Sequence, residues 1–474
     1  MIKLKKNQIT QLTFILTSIV LFIFGWLINN YNFILCSILL LIVNNIYYSF
    51  LAIKDRIVFL IFNITFFTLL LGKNFIYMLS GEIWYNKFDS SIEKNTLLLL
   101  YISLLCIFIG TMLFHIYKYF NKSNFSKKRK DINKKEILYI RKFLFFVFIL
   151  TLIPSMIVSV EKIIFVSQNS YISLHSGFTS QIPFFVQKLS NTNSTFFWLY
   201  LATFPSQNKV LKVTFAYCVY LVITMLSGGR APLIVGLITL IIYYVYRQYT
   251  LNEVYFNKKT LSAMAILGLS SIVFLSSYNI LRNKQTIENF NPINQFKQFF
   301  IDQSNSVELI SYAQEYKDEL PETNSNYTFG IIKNVLLNKN YYIQNTNTVE
   351  TALKGNNLGA TLSYLIMGDS FLKGNGRGTQ YIAELYTDYS YLGVVVYNLI
   401  LGFALIALIN VNPSNFIFFG ISLNIISNLI YLPRQFAMGW MTYLFSTTVI
   451  FAVLLTYIFS RFIRRKLNEN FMDS

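Results

Sequence analysis

The chain has 474 residues, of which 54% are hydrophobic, 17% aromatic and only 13% charged, and apolar runs of about 20 residues recur along it. That composition excludes a soluble globular enzyme and makes the chain an all-α polytopic membrane protein. The net charge of +19 would suit a nucleic-acid partner, but the basic run Lys127-Lys128-Arg129-Lys130 has no helix-turn-helix, zinc or RNA-motif context, so no nucleic acid is expected.

The N-terminus, Met1-Ile2-Lys3-Leu4-Lys5-Lys6, leads into an apolar stretch too long for a signal h-region and without a small-residue cleavage site, so that stretch is expected to stay as the first span. Spans then fall near 10–29, 32–53, 57–72, 96–117, 143–160, 193–206, 213–227, 231–246, 261–280, 391–410, 415–432 and 436–460, about twelve transmembrane helices in all. An even number puts both termini on one side. Lys3, Lys5, Lys6, Lys54, Arg56, the run from Lys118 to Lys142, Lys209, Lys212, Arg247, Lys258, Lys259 and the tail Arg461, Arg464, Arg465 and Lys466 mark that side as cytoplasmic. Almost the whole net charge falls there, so the imbalance is topological, and the loop 118–142 reads as a stop-transfer segment attracted to anionic lipid headgroups. Cys36, Cys106 and Cys218 lie inside spans and read as small apolar packing residues.

This divides the chain into spans one to nine over 1–280, a large extracytoplasmic loop over 281–390, and the last three spans with a basic tail over 391–474. Two other outward segments are Lys73 to Asn95, with Glu82, Trp84, Asp89 and Glu93, and Glu161 to Thr192, with His175. Within the large loop, Pro292 to Leu320 shows a helix-like recurrence of Phe296, Phe299, Phe300, Leu309, Ile310 and Ala313, and Gly330 to Leu337 is a second candidate helix. Gly359 to Leu372 is apolar but shorter than a span, which suggests a re-entrant or interfacial element. No internal repeat is visible, which disfavours an inverted-repeat transporter.

Three arginines sit at the outward ends of helices. The first is Ser227-Gly228-Gly229-Arg230, between two apolar spans; the second is Gly374-Asn375-Gly376-Arg377-Gly378, just before a helix; the third is Pro433-Arg434, between the last two spans. An arginine fork holds phosphate in a bidentate way and keeps its charge in a partly dry setting. Gly228 and Gly229 let the backbone approach a ligand, and Pro232 suits a helix start, whose free N–H groups favour an anion. The same positions also suit arginines that only snorkel to headgroups. Gly374 to Gly378 lacks the GK[ST] ending of a nucleotide loop.

Downstream, Glu384 and Asp388 lie four apart, hence on one helical face with Tyr386 close by. Glu384 is a candidate general base, or else a partner for the arginines. His175 is a weaker candidate base and His115 reads as structural. Nothing in the pattern suggests a metal site, and no cofactor is expected.

Together, Ser227-Gly228-Gly229-Arg230-Ala231-Pro232, Gly376-Arg377-Gly378 with Ala383-Glu384-Leu385-Tyr386 through Gly393, and Pro433-Arg434 with Gly439-Trp440 resemble the oligosaccharide repeat-unit polymerase (Wzy) family of O-antigen and capsule synthesis. The resemblance covers the topology of the whole chain, with motifs in its second half. It implies a metal-independent membrane glycosyltransferase of the GT-C type in the bacterial cytoplasmic membrane. The implied substrates are undecaprenyl-pyrophosphate-linked oligosaccharides at the outer face, among membrane lipids, with a flippase and a chain-length regulator as partner proteins. Arg230, Arg377 and Arg434 would neutralise the pyrophosphate leaving group, Glu384 would assist the acceptor hydroxyl, and Gly228, Gly229, Tyr386 and Asp388 would line the substrate. Two other readings stay open. An O-antigen ligase usually carries a histidine in the large outer loop, and 281–390 has none. A lipid-linked oligosaccharide flippase or other transporter would line a central path with charges, and the spans here are nearly uncharged.

Overall fold

The computed structural model describes residues 6–121, 134–169, 171–176, 178–257, 259–260, 262, 270, 291–324, 326–336 and 347–472. Every regular element among them is helical, as the composition requires of a chain whose backbone must satisfy itself in lipid. In chain order the main elements are Lys6–Leu27 (α1), Tyr31–Phe50 (α2), Ile53–Ser80 (α3), Ser90–Phe120 (α4), Lys135–Gln168 (α5), Asn193–Ala202 (α6), Gln207–Leu226 (α7), Ala231–Leu251 (α8), Pro292–Gln303 (α9), Glu308–Glu315 (α10), Leu358–Met367 (α11), Tyr381–Ala407 (α12), Phe416–Leu429 (α13) and Thr447–Met472 (α14). Among the described residues nine helices are long and apolar enough to cross a membrane, namely α1 to α5, α7, α8, α12 and α14. The predicted span at 261–280, apart from residues 262 and 270, the basic run 127–130 and the opening of the large loop at 281–290 lie outside the described residues.

Two predicted spans prove shorter than the bilayer: α6 has 10 residues and α13 has 14. Pro205 explains the end of α6, because the residue before a proline is pushed out of the helical region; Phe204 takes φ 51°. All of α6 except Ser194 is buried, the condition expected of a helix whose run from Phe196 to Ala202 is apolar on every side.

The chain packs as two units. The first comprises Met1–His115, Tyr244–Ile406 and Ile430–Met438, and the second Ile116–Tyr243, Ala407–Leu429 and Gly439–Ser474. In the second unit α6 and α13 meet at Gly420, where a Cβ would lie 3.0 Å from the Leu199 Cα. There Asn424 Nδ2 donates to Thr195 Oγ1 at 3.3 Å. In the first unit α4 and α12 approach through Gly110 and Gly402; a Cβ at Gly402 would stand 2.0 Å from the Ile107 carbonyl oxygen, so only a small residue permits the contact. Asn398 Nδ2 adds a buried bond to Ser103 Oγ at 3.2 Å.

One irregularity in the first unit gives the large loop its anchor. Helix α3 widens into a π-turn at Phe67–Leu71, which frees carbonyls from the ordinary ladder. Ser304 Oγ donates to the Thr68 carbonyl at 2.8 Å and Ser306 Oγ to the Leu69 carbonyl at 2.8 Å. Ser304 Oγ also accepts the Lys73 N–H at 3.1 Å. Gly72 clears the approach, since a Cβ there would stand 2.8 Å from Ser304 Oγ. Two serines of the large loop thereby dock on a helix more than 200 residues away in sequence.

The large loop is built differently from its periodicity. The expected single helix over Pro292 to Leu320 is broken into α9, a 3-10 turn at Ser304–Val307, α10 and a second 3-10 turn at Lys317–Glu319. The serine docking imposes that break. The second candidate helix is present as Gly330–Leu336. The stretch 359–372 forms α11 and Asp369–Leu372, separated by Gly368 at φ 50°. Leu358, Leu362 and Ser363 are buried, and Ala360 clusters with Ala352 and Phe371. It therefore packs into the core of the folded loop. Helix α12 begins at Tyr381, ten residues before the predicted span, and bends at Ser390 (φ 54°, ψ −151°).

Candidate active site

Docking the 304–307 turn on α3 delivers Glu308 to a ring of cations. Lys73 Nζ lies 2.5 Å from its Oε1, and Lys87 Nζ and Arg377 Nη1 lie 2.5 Å and 3.3 Å from its Oε2. The Glu308 side chain is 10% exposed. Burial by itself raises a carboxyl, but the hydrogen bonds and charges of Lys73 and Lys87 outweigh it and hold Glu308 below its ordinary value of 4.5. For Lys87 burial works downward; Glu308 and Tyr312 outweigh it and leave the ammonium raised. Both directions describe a cluster that is fully charged at neutral pH. Three cations against one carboxylate leave an excess of positive charge.

Arg377 is held at both ends. Its N–H donates to Ser363 Oγ at 3.0 Å, and its guanidinium lies 4.9 Å from the centre of the Tyr312 ring. Its Nε–H is buried and has no acceptor among the described residues. A buried donor without a partner is uncommon and leaves this guanidinium edge open to a further acceptor. Arg434 sits in the 3-10 turn Leu432–Arg434 and donates from Nη1 to Gln303 Oε1 at 3.3 Å. Gln303 and Glu308 bracket the docked turn, a span of about 10 Å at 3-10 rise. Two arginines far apart in sequence are thus fastened to one short segment.

The other expected residues divide. Glu384 is fully buried; Thr379 Oγ1 donates to its Oε1 at 2.7 Å and the Ala437 N–H to its Oε2 at 2.8 Å. Both oxygens are engaged and neither meets solvent, a placement that suits a strut between α12 and the Arg434 turn more than a base. Asp388 accepts the N–H groups of Tyr327 and Thr328 at 3.1 and 2.6 Å and so ties down the 327–328 turn. Tyr386 OH accepts Asn95 Nδ2 at 2.9 Å. Arg230, Gly228 and Gly229 belong to the second unit. There Gly228, at φ 103°, leaves no room for a Cβ, which would stand 2.2 Å from the Tyr171 ring, whereas Gly229 faces open space. The Arg230 carbonyl accepts the Ile234 N–H at 3.2 Å and opens α8. His175 lies in the short helix Ser173–Ser176.

Beside Glu308 lies a cavity of about 310 Å³ whose walls include Lys73, Lys87 and Glu93. Lys73, Lys87 and Glu308 were not among the expected site residues, yet each carries a signal. The two lysines fall in a segment assigned to the lysine-poor side, and Glu308 is a lone acid against Val307-Leu309-Ile310.

A family model described as O-antigen polysaccharide polymerase Wzy matches residues 9–466. The chain belongs to that family. No curated protein and no solved structure matches it. Membership in the Wzy family makes the chain a multi-pass membrane protein that polymerises O-antigen repeat units, acting on lipid-linked oligosaccharides in the membrane.

Proposed function

We propose that this Wzy-family polymerase transfers a growing chain from its undecaprenyl-pyrophosphate carrier to a new lipid-linked unit, with Arg377 and Arg434 holding the pyrophosphate as it leaves. The observation that carries this is the attachment of both arginines to the segment from Gln303 to Glu308, together with the unpartnered Nε–H of Arg377. Lys73 and Lys87 add charge to the same place. In a partly dry site such preset donors stabilise developing negative charge without reorganising. Side-chain cations suffice for this step, so the proposed reaction uses no metal. Glu384 holds the Arg434 turn in place through the Ala437 N–H. Arg230, in the second unit, binds phosphate of a lipid-linked substrate in this reading. The site faces the outer side of the cytoplasmic membrane and both termini face the cytoplasm, in keeping with the positive-inside distribution. A flippase that supplies the units and a regulator of chain length are the partners this activity calls for.

The test is direct. Purified protein in detergent, given undecaprenyl-pyrophosphate-linked repeat units, should build a ladder of products and release one undecaprenyl pyrophosphate per added unit. Arg377→Lys keeps the charge but loses the fork and should slow the ladder by about 100-fold. A lysine variant that builds polymer of wild-type length and amount overturns the clamp.

A further inference from the structure

The cavity beside Glu308 has a makeup that an anion site does not need. Its walls include the aromatic rings of Tyr77 and Trp84, the amides of Asn74 and Asn86, and two carboxylates, Glu93 and Glu308. Aromatic surface with amides and carboxylates around it is the chemistry that recognises a sugar: the rings cover the apolar face of a pyranose and the polar groups bond its hydroxyls. A volume of about 310 Å³ is at the lower end of small-ligand pockets and suits a monosaccharide. Trp84 is fixed for such a role, since its Nε1–H donates to Asn32 Oδ1 at 3.1 Å and its ring stands T-shaped to Tyr31 at 6.3 Å between centroids.

The two carboxylates differ in what they can do. Glu308 is committed to three cations. Glu93 opens α4, is 8% exposed and has its Oε1 aimed at the Phe88 N–H at 3.3 Å, while its side chain lines the cavity. It is paired with no cation at ion-pair distance among the described residues, and it borders the same cavity as Lys73 and Lys87.

Resting on the proposed pyrophosphate leaving group, we propose that this cavity is the subsite for the acceptor sugar and that Glu93 is the catalytic base for its hydroxyl. The acceptor oxygen forms a bond to the anomeric carbon of the donor as its proton passes to the Glu93 carboxylate. The bond from that carbon to the pyrophosphate oxygen breaks, and its electron pair stays on the pyrophosphate beside Arg377. Glu93 then returns its proton to water. Lys73, Lys87 and the base border one space, and Arg377 joins that cluster through Glu308, so leaving-group charge and acceptor proton are handled on the two sides of one carboxylate.

Glu93→Gln separates chemistry from structure, because glutamine keeps the oxygen that caps the Phe88 N–H and loses the ability to take a proton. In the ladder assay with the full-length protein, the turnover number should fall by about 100-fold to 10,000-fold, with the KM for the lipid-linked unit and the melting temperature unchanged. Trp84→Ala should instead raise that KM about tenfold with turnover little changed. A Glu93→Gln protein within threefold of wild-type turnover, or one that loses its melting transition while Glu93→Asp restores neither, overturns the assignment. Wild-type protein that builds a ladder while Glu93→Gln does so at the same rate, with Arg377→Lys slowed, defeats the base and leaves the clamp standing. A ladder at the wild-type rate from Arg377→Lys with a slowed one from Glu93→Gln defeats the clamp and leaves the base.

Discussion

Glu308 and Glu384 are two buried carboxylates of the same unit, and they are satisfied in opposite ways. Glu308 is met by Lys73, Lys87 and Arg377, whereas Glu384 is met by a hydroxyl and a backbone N–H. The first arrangement keeps charge concentrated beside a cavity, where an anionic ligand can compete for the same cations. The second leaves nothing for a ligand to displace, and it fixes the distance between α12 and the turn that carries Arg434. In the proposed function the two carboxylates thus separate binding from positioning: exchangeable ionic partners serve the ligand, and neutral hydrogen bonds in a dry pocket serve the frame.

Variants of the two carboxylates and their partners sharpen this contrast. The largest effect is expected from Arg377→Ala, with polymerisation slowed by about 100-fold to 1,000-fold and thermal stability retained, as read from initial rates and a melting curve. Glu384→Ala should act the other way round. Leaving the Ala437 N–H buried without an acceptor costs about 1–3 kcal/mol, so its melting temperature falls, and activity falls with it as Arg434 loses its support. Glu308→Gln should tighten binding of inorganic pyrophosphate by about tenfold or less, which corresponds to about 1.4 kcal/mol, in a calorimetric titration; weaker binding would break the contrast. The pH dependence has a definite sign. Because Glu308 is held below 4.5, its stabilising contribution is complete above 4.5 and is lost as pH falls through the lower folded-state value. Because Lys87 is raised above 10.5, its contribution is complete below 10.5 and is lost as pH rises through the higher folded-state value. The difference in melting temperature between the native protein and Glu308→Gln should therefore shrink in acid. Ser306→Ala has the smallest expected effect, about 1 kcal/mol, from leaving the Leu69 carbonyl of the π-turn without its donor.

Much of the architecture was legible in the sequence, and the reasons are physical. Span-length apolar runs have few alternatives in lipid, so α1 to α5 and α7, α8, α12 and α14 were readable from composition. The short α6 was misjudged because a helix apolar all round carries the same signal whether it faces lipid or other helices. Arg377 and Arg434 were readable because a permanent charge beside apolar spans demands a reason. Their attachment to 303–308 was not, since it depends on a π-turn in α3 that no local pattern announces and on two serines that look like ordinary loop residues. Glu384 was singled out for its type and position, and only its depth and its two donors reveal the frame it holds.

The central claim is that Arg377 and Arg434 serve one anion, and a double-mutant cycle addresses it without assumptions about either residue alone. Polymerisation rates would be measured for the native protein, Arg377→Lys, Arg434→Lys and the double variant, with lipid-linked units at saturating and subsaturating concentrations. Two arginines on one pyrophosphate should couple, so the double variant should be less impaired than the product of the single effects, by about threefold or more. Effects that multiply cleanly, as for independent sites, would contradict a shared clamp.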